Sequence, residues 1–452
     1  MRTALLLALT TAVAWADEPK LIDAPKPPDG FPRFKVQEID TGLKIGYAVI
    51  TTDIDGDGKP DIVVVDQHKV VWYQNPTWQK RVILDGKTKP DNVCITALDI
   101  DGDKLPELVL GAGWKPADTK TAGTLQWLKR GKTLDDEWTM HPIPCDEPTV
   151  HRVKVADLDG DGKLEIIMAP LQGRDATAKG NWTDGRPVRI LAYKVPAKEP
   201  EKADNWKPEV VSEELHVVHN FVELEMHKGP LDETPPPSPN FTASYAGVHR
   251  WDRDKKGKTS SQLIGSGDQS NPTASRGSSE IAIGDGHSTS AELRNGTPAP
   301  VLRNVHWRRE GVIIATIEPW HGNKVVAYTQ DRGKSEYERK VVDDKLRWGH
   351  AVKLKDLDAG SANELKRESW YDDIIVGVRD NPTKDDKFAE KRGVRIYRHD
   401  PKTKKWERYI LEDGGVAVED LTVADLNGDG KPDIVAVGRA TGNARIYWNQ
   451  GK

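Results

Sequence analysis

The sequence contains very few cysteines, only Cys94 and Cys145 in 452 residues. Two cysteines form at most one disulfide, which excludes the class of small domains that are held together by a disulfide framework. The pair either forms one bond in an oxidising compartment or remains as two unbonded thiols, and the sequence leaves both possibilities open. The stability of the chain must therefore come from an apolar core.

The sequence also lacks a surplus of basic residues, with 66 Lys and Arg against 71 Asp and Glu. No run of Lys and Arg resembles a stripe that follows a phosphate backbone, so we expect no nucleic-acid partner. Long apolar runs are missing after the amino terminus, and no later segment reaches the length of a membrane helix. We therefore expect no membrane span. The composition does not indicate an oligomeric state.

The first 16 residues have the features of a secretory signal peptide in the right order. Arg2 supplies a positive charge, residues 4–14 are apolar but too few to span a bilayer, and Ala14-Trp15-Ala16 fits the small-x-small cleavage rule. We expect a mature chain that begins at Asp17 and is secreted or periplasmic. Residues 17–32 are polar and rich in proline and are predicted to be a linker, which leaves residues 33–452 for the folded domain.

An aspartate-rich turn between two short apolar strands recurs along the chain. Its first copy reads Asp53-Ile-Asp-Gly-Asp-Gly-Lys-Pro-Asp61. Further copies begin at Asp99, Asp157 and Asp425, and a worn copy begins at Asp356 and resumes at Asp373 after an insertion. Acidic residues two positions apart project to one side of such a turn, and the glycines supply its backbone freedom.

The acidic residues of these turns are predicted to bind structural calcium ions, because hard oxygen ligands in this number and flexibility suit calcium better than magnesium. The flanking strands distinguish the turns from EF-hands, and the copy at Asp99 is the weakest because it lacks the second glycine. The predicted ligands are Asp53, Asp55, Asp57 and Asp61, then Asp99, Asp101, Asp103 and Glu107, then Asp157, Asp159, Asp161 and Glu165, and finally Asp425, Asn427, Asp429 and Asp433.

A second repeated pattern is an aromatic residue followed by alternating residues that end in a β-branched pair, as in Trp78-Gln-Lys-Arg-Val-Ile83. Such alternation indicates a half-buried antiparallel strand. The two patterns interleave into units of four strands, whose inner strands begin near Tyr47, Val93, His151, His219, Ser279, His350 and Glu419. The last unit lacks an outer strand, whereas residues 34–40 form an outer strand without a unit. The sequence therefore predicts an all-β, seven-bladed β-propeller of four-stranded antiparallel blades, closed by the N-terminal strand.

Histidines recur at one position of the inner strands, 6 residues before the first acid of the turn. Counting back from Asp157 leads to His151 and from Asp356 to His350, and alignment of the fourth unit places His219 at the same position. Because inner strands line the central channel, we expect these imidazoles to converge at the end opposite the turns. Three imidazoles with an open fourth position are the ligand set of a catalytic zinc site.

The second strand of each hairpin returns to the same face of the ring. Its end carries aromatic residues that can stack on sugar rings and charged residues that can bind hydroxyl groups, so this face is the expected ligand site. The residues predicted to bind substrate are Tyr47, Trp114, Trp320, Arg379, Glu419 and Arg439.

The aspartate-turn hairpins resemble FG-GAP repeats, also called VCBS repeats, which form the blades of integrin-α-type propellers. Stretches such as His219-Asn-Phe221, Ile317-Glu-Pro-Trp-His-Gly322 and Trp348-Gly-His-Ala-Val352 are more specific. They resemble the propeller domain of aldos-2-ulose dehydratase/isomerase. That resemblance implies a catalytic zinc at the bottom of a cleft and activity on keto-sugars such as 1,5-anhydrofructose and glucosone. We expect no counterpart of the cupin and lectin domains of the fungal enzyme, so the full dehydration and isomerisation sequence is not implied.

The function predicted from these residues is that of a zinc-dependent carbohydrate dehydratase or lyase. Such an enzyme removes the proton next to a ketone and eliminates the oxygen on the β-carbon. The candidate acid–base residues are Glu318 and His321, with Glu280 behind them, and the sequence does not choose among them. Two alternatives remain open: a non-catalytic extracellular propeller that binds glycans or protein, and a calcium-dependent polysaccharide lyase or hydrolase.

Overall fold

Seven antiparallel sheets of four or five strands form the body of the protein, which confirms the predicted seven-bladed propeller. The computed structural model describes residues 21–223, 239–254, 256–285, 311–331, 336–358, 371–379 and 390–452. The predicted signal peptide lies outside these residues. We number the sheets as blades 1 to 7 in chain order, and the strands of each blade from the centre outwards.

The first and second strands of each blade form the hairpin that carries the turn. The first strands are β3 (Ala48–Thr52), β7 (Asn92–Leu98), β11 (Val150–Ala156), β15 (Val218–Glu223), β19 (Ile281–Asp285), β23 (Gly349–Lys355) and β27 (Val418–Ala424). The second strands are β4 (Asp61–Val65), β8 (Glu107–Ala112), β12 (Glu165–Pro170), β16 (Asn240–Ser244), β20 (Gly311–Glu318), β24 (Asp373–Val378) and β28 (Asp433–Gly438). The first strands contact one another in a closed cycle that ends with β27 against β3.

The third and fourth strands complete each blade towards the outside. The third strands are β5 (Lys69–Gln74), β9 (Thr124–Lys129), β13 (Ile190–Tyr193), β17 (Gly247–Arg253), β21 (Lys324–Asp331), β25 (Gly393–Asp400) and β29 (Ala444–Gly451). The fourth strands are β6 (Gln79–Asp85), β10 (Thr139–Ile143), β14 (Pro208–Ser212), β18 (Thr259–Gly265), β22 (Glu338–Asp343), β26 (Lys405–Ile410) and β2 (Arg33–Asp40). A 3₁₀ turn, Ala203–Asn205, precedes β14.

The apolar core lies between neighbouring blades. The second strands are covered on both faces, so they read as continuous apolar runs such as Ile62–Val65, in which every residue is fully buried. Trp72, Trp127 and Trp206 are also buried between the blades. The described residues contain no helix that is both long and apolar enough to cross a membrane.

The N-terminal strand closes the ring as predicted. Strand β2 pairs antiparallel with β29, with Lys35 opposite Trp448 and Val36 opposite Tyr447. The first and last parts of the chain thus share blade 7. Closure satisfies the outer edge of β29 and ties the ends of the ring together by main-chain hydrogen bonds.

Residues 21–32, the described part of the predicted linker, pack against the ring. Strand β1 (Ile22–Asp23) adds a fifth strand to blade 7, next to β2. Phe31 is only 3% exposed and packs edge-on against Tyr409, whose hydroxyl donates to the carbonyl of Pro25. The proline-rich composition gave no sign that the side chain of Phe31 packs against blades 6 and 7.

The two cysteines are free thiols, so the unbonded alternative applies to this structure. Cys94 is buried in β7, and Cys145 is partly buried beyond β10. Burial raises the pKa of both thiols to about 12, which keeps them protonated and poorly reactive at neutral pH.

Candidate metal centre

The first strands of five blades have an irregular register at their start, and the residue at the irregularity points into the channel region. The register shifts fall at Val93, His151, His219, His350 and Glu419. A β-bulge places an extra residue in one strand and redirects its side chain, and bulges are common beside active sites. Four of these five residues were singled out from the sequence because of their distance from the turns.

Four histidines form one imidazole cluster at this end of the channel: His151, His219, His321 and His350. Nitrogen atoms of His219, His321 and His350 lie within 4.8 Å of one another, and we call these three residues the metal triad. The Nε2 atoms of His219 and His321 are 2.9 Å apart. The ring centres of His321 and His350 are separated by 4.7 Å. The triad is therefore compact enough for its rings to share one ion.

His151 belongs to the cluster but not to the triad. Its ring centre is 4.9 Å from that of His219 and 4.7 Å from Trp114. Its Nδ1 lies 3.0 Å from the carbonyl oxygen of His219, and its Nε2 lies 3.0 Å from Nη1 of Arg152. The structure thus groups His321, predicted to be a base, with His219 and His350, and holds the predicted ligand His151 beside them through different partners.

The partners of the rings assign their tautomers. Nδ1 of His219 lies 2.9 Å from Oε1 of Glu280, and Nδ1 of His350 faces the carbonyl oxygen of Glu419. Both acceptors require a proton on Nδ1, which leaves the lone pair of Nε2 directed into the cluster. The indole N–H of Trp320 donates to Nε2 of His321 at 3.0 Å and Nη2 of Arg379 lies 3.1 Å from Nδ1 of the same ring, so donors face both of its nitrogens.

The imidazoles are neutral at physiological pH. Burial lowers the pKa of His219 below its usual value and that of His350 to about 3. Burial and the nearby charge of Arg152 hold the pKa of His151 well below the usual value. Burial and the charge of Arg379 do the same for the pKa of His321. The 2.9 Å between Nε2 of His219 and Nε2 of His321 fits an N–H···N hydrogen bond, whose proton a bound metal ion would replace. Neutral imidazole is the form that binds metal, so the donor set fits Zn²⁺.

Glu280 is a buried carboxylate that joins Arg152 to the metal triad. Its Oε1 lies 2.9 Å from Nη2 of Arg152 and 2.9 Å from Nδ1 of His219, and Oε2 accepts from the side-chain amide of Asn220. Burial acts to raise its pKa, but the charge of Arg152 and the hydrogen bond from His219 hold that pKa well below the usual range. This acidity favours an orienting role over the predicted role of a general base.

The prediction that Glu318 acts as a base does not fit its surroundings. The side chain is fully buried in blade 5. Its Oε1 accepts hydrogen bonds from Tyr328 at 2.7 Å, Thr316 at 3.0 Å and Ser278 at 3.2 Å, and Oε2 lies 3.1 Å from Nε of Arg339. Both oxygens are thus occupied by donors on neighbouring strands. Glu318 stabilises the blade, and it is the adjoining turn that carries His321 to the cluster.

The predicted substrate-binding residues of blades 1, 6 and 7 meet at Glu419. The carboxylate accepts from Arg379 at 2.8 Å and from Arg439 at 2.7 Å. Although burial opposes it, the combined effect of His350, Arg379 and Arg439 lowers the pKa of Glu419 to about 2. Arg439 also lies 5.3 Å over the ring of Tyr47. Arg379 is 3.1 Å from Nδ1 of His321, which connects this charged group to the triad.

A cavity of about 320 Å³ lies in the channel beside the cluster. Ligand pockets commonly have volumes of roughly 300–1,000 Å³, so the cavity can accept a small molecule. Its polar lining includes Tyr47, Arg152, Lys154, Asn220, Glu280, His350, Lys353, Glu419 and Asp420. Sequence reasoning missed Arg152 and Asn220, although each directly follows a singled-out histidine. The bulge explains their position, since it allows consecutive side chains to reach the channel.

The predicted calcium ligands cluster at the opposite end of the hairpins. Carboxylate oxygens lie within 4.8 Å of one another in three groups: Asp53, Asp55 and Asp57; Asp99, Asp101 and Glu107; and Asp157, Asp159 and Glu165. The turn of blade 7 has the same internal hydrogen bonds as that of blade 1. Asp425 accepts from the backbone of Gly428 and Gly430, as Asp53 does from Gly56 and Gly58.

The last acid of each turn is buried, whereas the others are at least partly exposed. Asp61 is fully buried and accepts backbone N–H groups of Ile54 at 2.9 Å and Asn75 at 2.8 Å. Burial raises the pKa of Asp61, of Glu107 and of Asp433 to about 7. A bound cation would stabilise the charged form of each carboxylate.

The fold and the cluster together define a closed propeller with FG-GAP-type hairpins and a buried imidazole centre. Residues 53–110 and 371–436 match the model of the FG-GAP-like repeat. Residues 122–331 match the model of the aldos-2-ulose dehydratase beta-propeller domain. Both predicted resemblances are confirmed. The second match points to a sugar-processing or propeller function and contains His151, His219 and His321.

Comparisons with whole proteins give only distant similarities. No curated protein matches this chain. The crystal structure of BBS1N in complex with ARL6DN, soaked with mercury, is similar at 12% identity and a TM-score of 0.49, covering 94% of this chain and 96% of that chain. The lead-soaked form of the same complex is similar at 12% identity and a TM-score of 0.48, covering 94% of this chain and 97% of that chain. The crystal structure of the Mitotic Checkpoint Complex is similar at 8% identity and a TM-score of 0.49, and 99% of each chain is covered.

Proposed function

We propose that this protein is a secreted, zinc-dependent carbon–oxygen lyase that acts on keto-sugars. The observation that carries the proposal is the cluster of neutral, buried imidazoles, three of which have nitrogens within 4.8 Å of one another. Part of the cluster lies in the segment that matches the aldos-2-ulose dehydratase propeller. The apolar N-terminal segment and its cleavage rule support export.

The metal triad would hold the zinc ion. Glu280 orients His219 through Nδ1, and the carbonyl of Glu419 orients His350 in the same way. Such partners keep the ring in the tautomer that can bind metal and raise its basicity. A zinc ion bound there supplies Lewis acidity, which stabilises negative charge that develops on a carbonyl oxygen.

The remaining groups of the cluster suit proton transfer and substrate binding. His151 is the candidate base: its Nδ1 is held by a carbonyl oxygen, so Nε2, which lies 3.0 Å from Nη1 of Arg152, is the nitrogen that would take up a proton when Arg152 turns away. It takes the proton from the carbon next to the ketone, and the electron pair of that C–H bond expels the oxygen on the β-carbon. That oxygen leaves as water or an alcohol once it has gained a proton. Trp114 packs against the ring of His151 and Trp320 donates to His321, so both tryptophans border the cluster.

Zinc content and turnover of each histidine variant test this assignment. We expect His219→Ala, His321→Ala and His350→Ala to lose both bound zinc and elimination of keto-sugars. His151→Ala should retain about one zinc per chain and lose turnover by roughly a hundredfold or more. His141→Ala, which alters the outer strand β10, is the matched control and should change neither.

Other results would contradict the proposal in identifiable ways. Loss of zinc in His151→Ala with retention in His321→Ala would restore the ligand set predicted from sequence. A protein that binds no transition metal after zinc is offered is not a zinc enzyme, and tight sugar binding without product would then indicate a glycan-binding propeller. Cleavage of polymers that stops when calcium alone is removed would indicate a polysaccharide lyase or hydrolase.

We also propose that the aspartate turns of blades 1, 2, 3 and 7 bind calcium. The support is the repeated set of oxygen ligands, three groups of which lie within 4.8 Å. These ions would neutralise clustered carboxylates and brace the hairpins at the end opposite the imidazole cluster. They would have no part in the elimination.

A further inference from the structure

One position on the third strand lies opposite the last acid of each aspartate turn, and its residue type differs between blades. In blade 1, Ile62 pairs with Tyr73, so the neighbouring pair on the side of the turn is Asp61 with Gln74. The equivalent register in the other blades places four further residues at this position. They are Lys129 opposite Glu107, Lys194 opposite Glu165, Arg398 opposite Asp373 and Trp448 opposite Asp433.

In blade 6, the guanidinium of Arg398 lies among the acids of the worn turn. It forms a bidentate pair with Asp373, with Nε to Oδ1 at 2.7 Å and Nη2 to Oδ2 at 2.6 Å. It also reaches Asp358, with Nη1 to Oδ2 at 3.1 Å. Arg398 is 6% exposed and Asp373 is 2% exposed. A permanent charge that is buried and bonded in this way is difficult to displace.

In blades 2 and 3, an ammonium group occupies the equivalent place. Nζ of Lys129 lies 2.7 Å from Asp101. Nζ of Lys194 lies 2.5 Å from Asp159, 3.4 Å from Asp161 and 3.7 Å from Glu165. Both lysine side chains are about half exposed, so they can move into solvent when another cation arrives.

In blades 1 and 7, this position brings no charge to the turn. The neutral amide of Gln74 donates to Asp55 at 2.7 Å. The indole N–H of Trp448 donates at 2.9 Å to Gln37 on the neighbouring strand. The five positions thus form a series from no charge, through a displaceable ammonium, to a fixed guanidinium. Positive side chains contact the carboxylates of all five turns, since Lys59 pairs with Asp57 in blade 1 and Lys431 with Asp429 in blade 7, and they show that these clusters attract a cation.

We propose that the residue opposite the last acid determines whether each turn takes a divalent cation. Blades 1 and 7 bind Ca²⁺ most readily, because the ammonium to displace there is the turn's own lysine on the more exposed Asp57 or Asp429. Blades 2 and 3 bind it more weakly, because Lys129 and Lys194 lie on the less exposed Asp101 and Asp159, and in blade 6 Arg398 stands in place of the ion. The inference rests on the proposed binding of calcium by the turns. The inference adds the order in which the turns bind calcium, and it names the residue that sets this order.

Reciprocal exchange at this position tests the proposal by calorimetric titration of the dialysed, full-length protein with CaCl₂. Lys129→Gln and Lys194→Gln should each tighten one weak site by roughly threefold or more, because the competing ammonium is removed. Gln74→Lys should weaken one strong site by a similar factor. Lys87→Gln, whose lysine pairs with Glu137 away from the turns, is the matched control and should leave the isotherm unchanged.

The possible failures are distinguishable. A protein that takes up no calcium at all refutes calcium binding by the turns. A protein that binds calcium with the same isotherm in all three exchange variants retains the calcium sites but refutes the role of the opposing residue. For blade 6, Arg398→Met should lower the melting temperature more in calcium-free buffer than in calcium, because the freed acids then gain from the ion. An equal loss in both buffers overturns the substitution of guanidinium for metal.

Discussion

Glu280 links the charge of Arg152 to the orientation of a triad ring. Its Oε1 lies 2.9 Å both from Arg152 Nη2 and from His219 Nδ1, so one oxygen serves two donors. The carboxylate stays ionised because Arg152 and His219 outweigh the effect of burial on its pKa. An ionised partner on Nδ1 makes the opposite nitrogen of His219 a stronger ligand.

Replacement of this charge should therefore weaken zinc binding without removing any ligand. In Glu280→Gln, an amide of nearly the same size still accepts from His219, but its charge is lost. We expect zinc affinity to fall by roughly 10- to 100-fold, measured by competition with a chromogenic chelator. Glu147→Gln is the matched control, since Glu147 is a buried carboxylate paired with Arg189 in another part of the ring. Equal zinc affinity in both variants would leave Glu280 with a structural role only.

The sequence indicated which residues approach the cluster better than it indicated what they do there. Spacing from the turns located His151 and His350, and alignment of the fourth unit located His219, because strand length fixes which end of a hairpin a residue occupies. The roles of His321 and Glu318 depend on a tight reversal after β20, where His321 has a φ of 47°. Left-handed backbone at a non-glycine residue is not readable from spacing, and it turns the two side chains in different directions.

At the scale of elements, the hairpins of blades 3 and 7 each separate two kinds of site. The bulge at the start of the first strand directs His151 or Glu419 to the channel, and the turn at the far end carries acidic residues. Alternation in the sequence predicted the strands, but not the bulges, because an inserted residue shifts the register without leaving a compositional sign. The bulges account for Arg152 and Asn220, which the sequence reading overlooked.

The turns predict a specific pH dependence of stability. Asp61, Glu107 and Asp433 have pKa values of about 7 in the folded, metal-free chain, against roughly 4 when unfolded. Because these carboxylate pKa values are raised on folding, the folded state binds more protons than the unfolded state between about pH 4 and about pH 7. These three carboxylates therefore contribute stability that is lost as the pH rises from about 4 to about 7, and the buried histidines oppose this loss, because their lowered pKa values make the unfolded chain bind more protons below about pH 6.5.

Added calcium should oppose this loss, since the ion stabilises the charged carboxylates. We expect the difference in melting temperature between calcium-loaded and dialysed protein to widen as the pH rises from about 5 to about 8. The acidic groups with depressed pKa values, such as Glu280 and Glu419, titrate alike in both samples and cancel in the difference. A difference that stays constant over this range would contradict the coupling of buried turn acids to calcium.

At the scale of the whole molecule, the ring is closed by strand exchange between the two ends of the chain. The sequence predicted this closure because one blade lacked an outer strand and one strand lacked a blade. Strand β2 supplies the edge of blade 7, and Phe34, which is 3% exposed, packs into the core shared with blade 6. Blade 7 also carries Glu419 and Arg439, so the seam adjoins the charged side of the imidazole cluster.

Weakening the seam should therefore reduce both stability and zinc affinity. Phe34→Ala removes a buried ring and should cost about 3–5 kcal/mol, seen as a lower midpoint in urea. Arg33→Ala, an exposed neighbour on the same strand, is the control and should leave the midpoint unchanged. In a chain that begins at residue 41, we expect a larger loss and weaker zinc binding, both restored in part by a peptide of residues 33–40. If that shortened chain unfolded at the wild-type midpoint, the ring would be held by contacts between blades alone, and the exchanged strand would serve only to cover an edge.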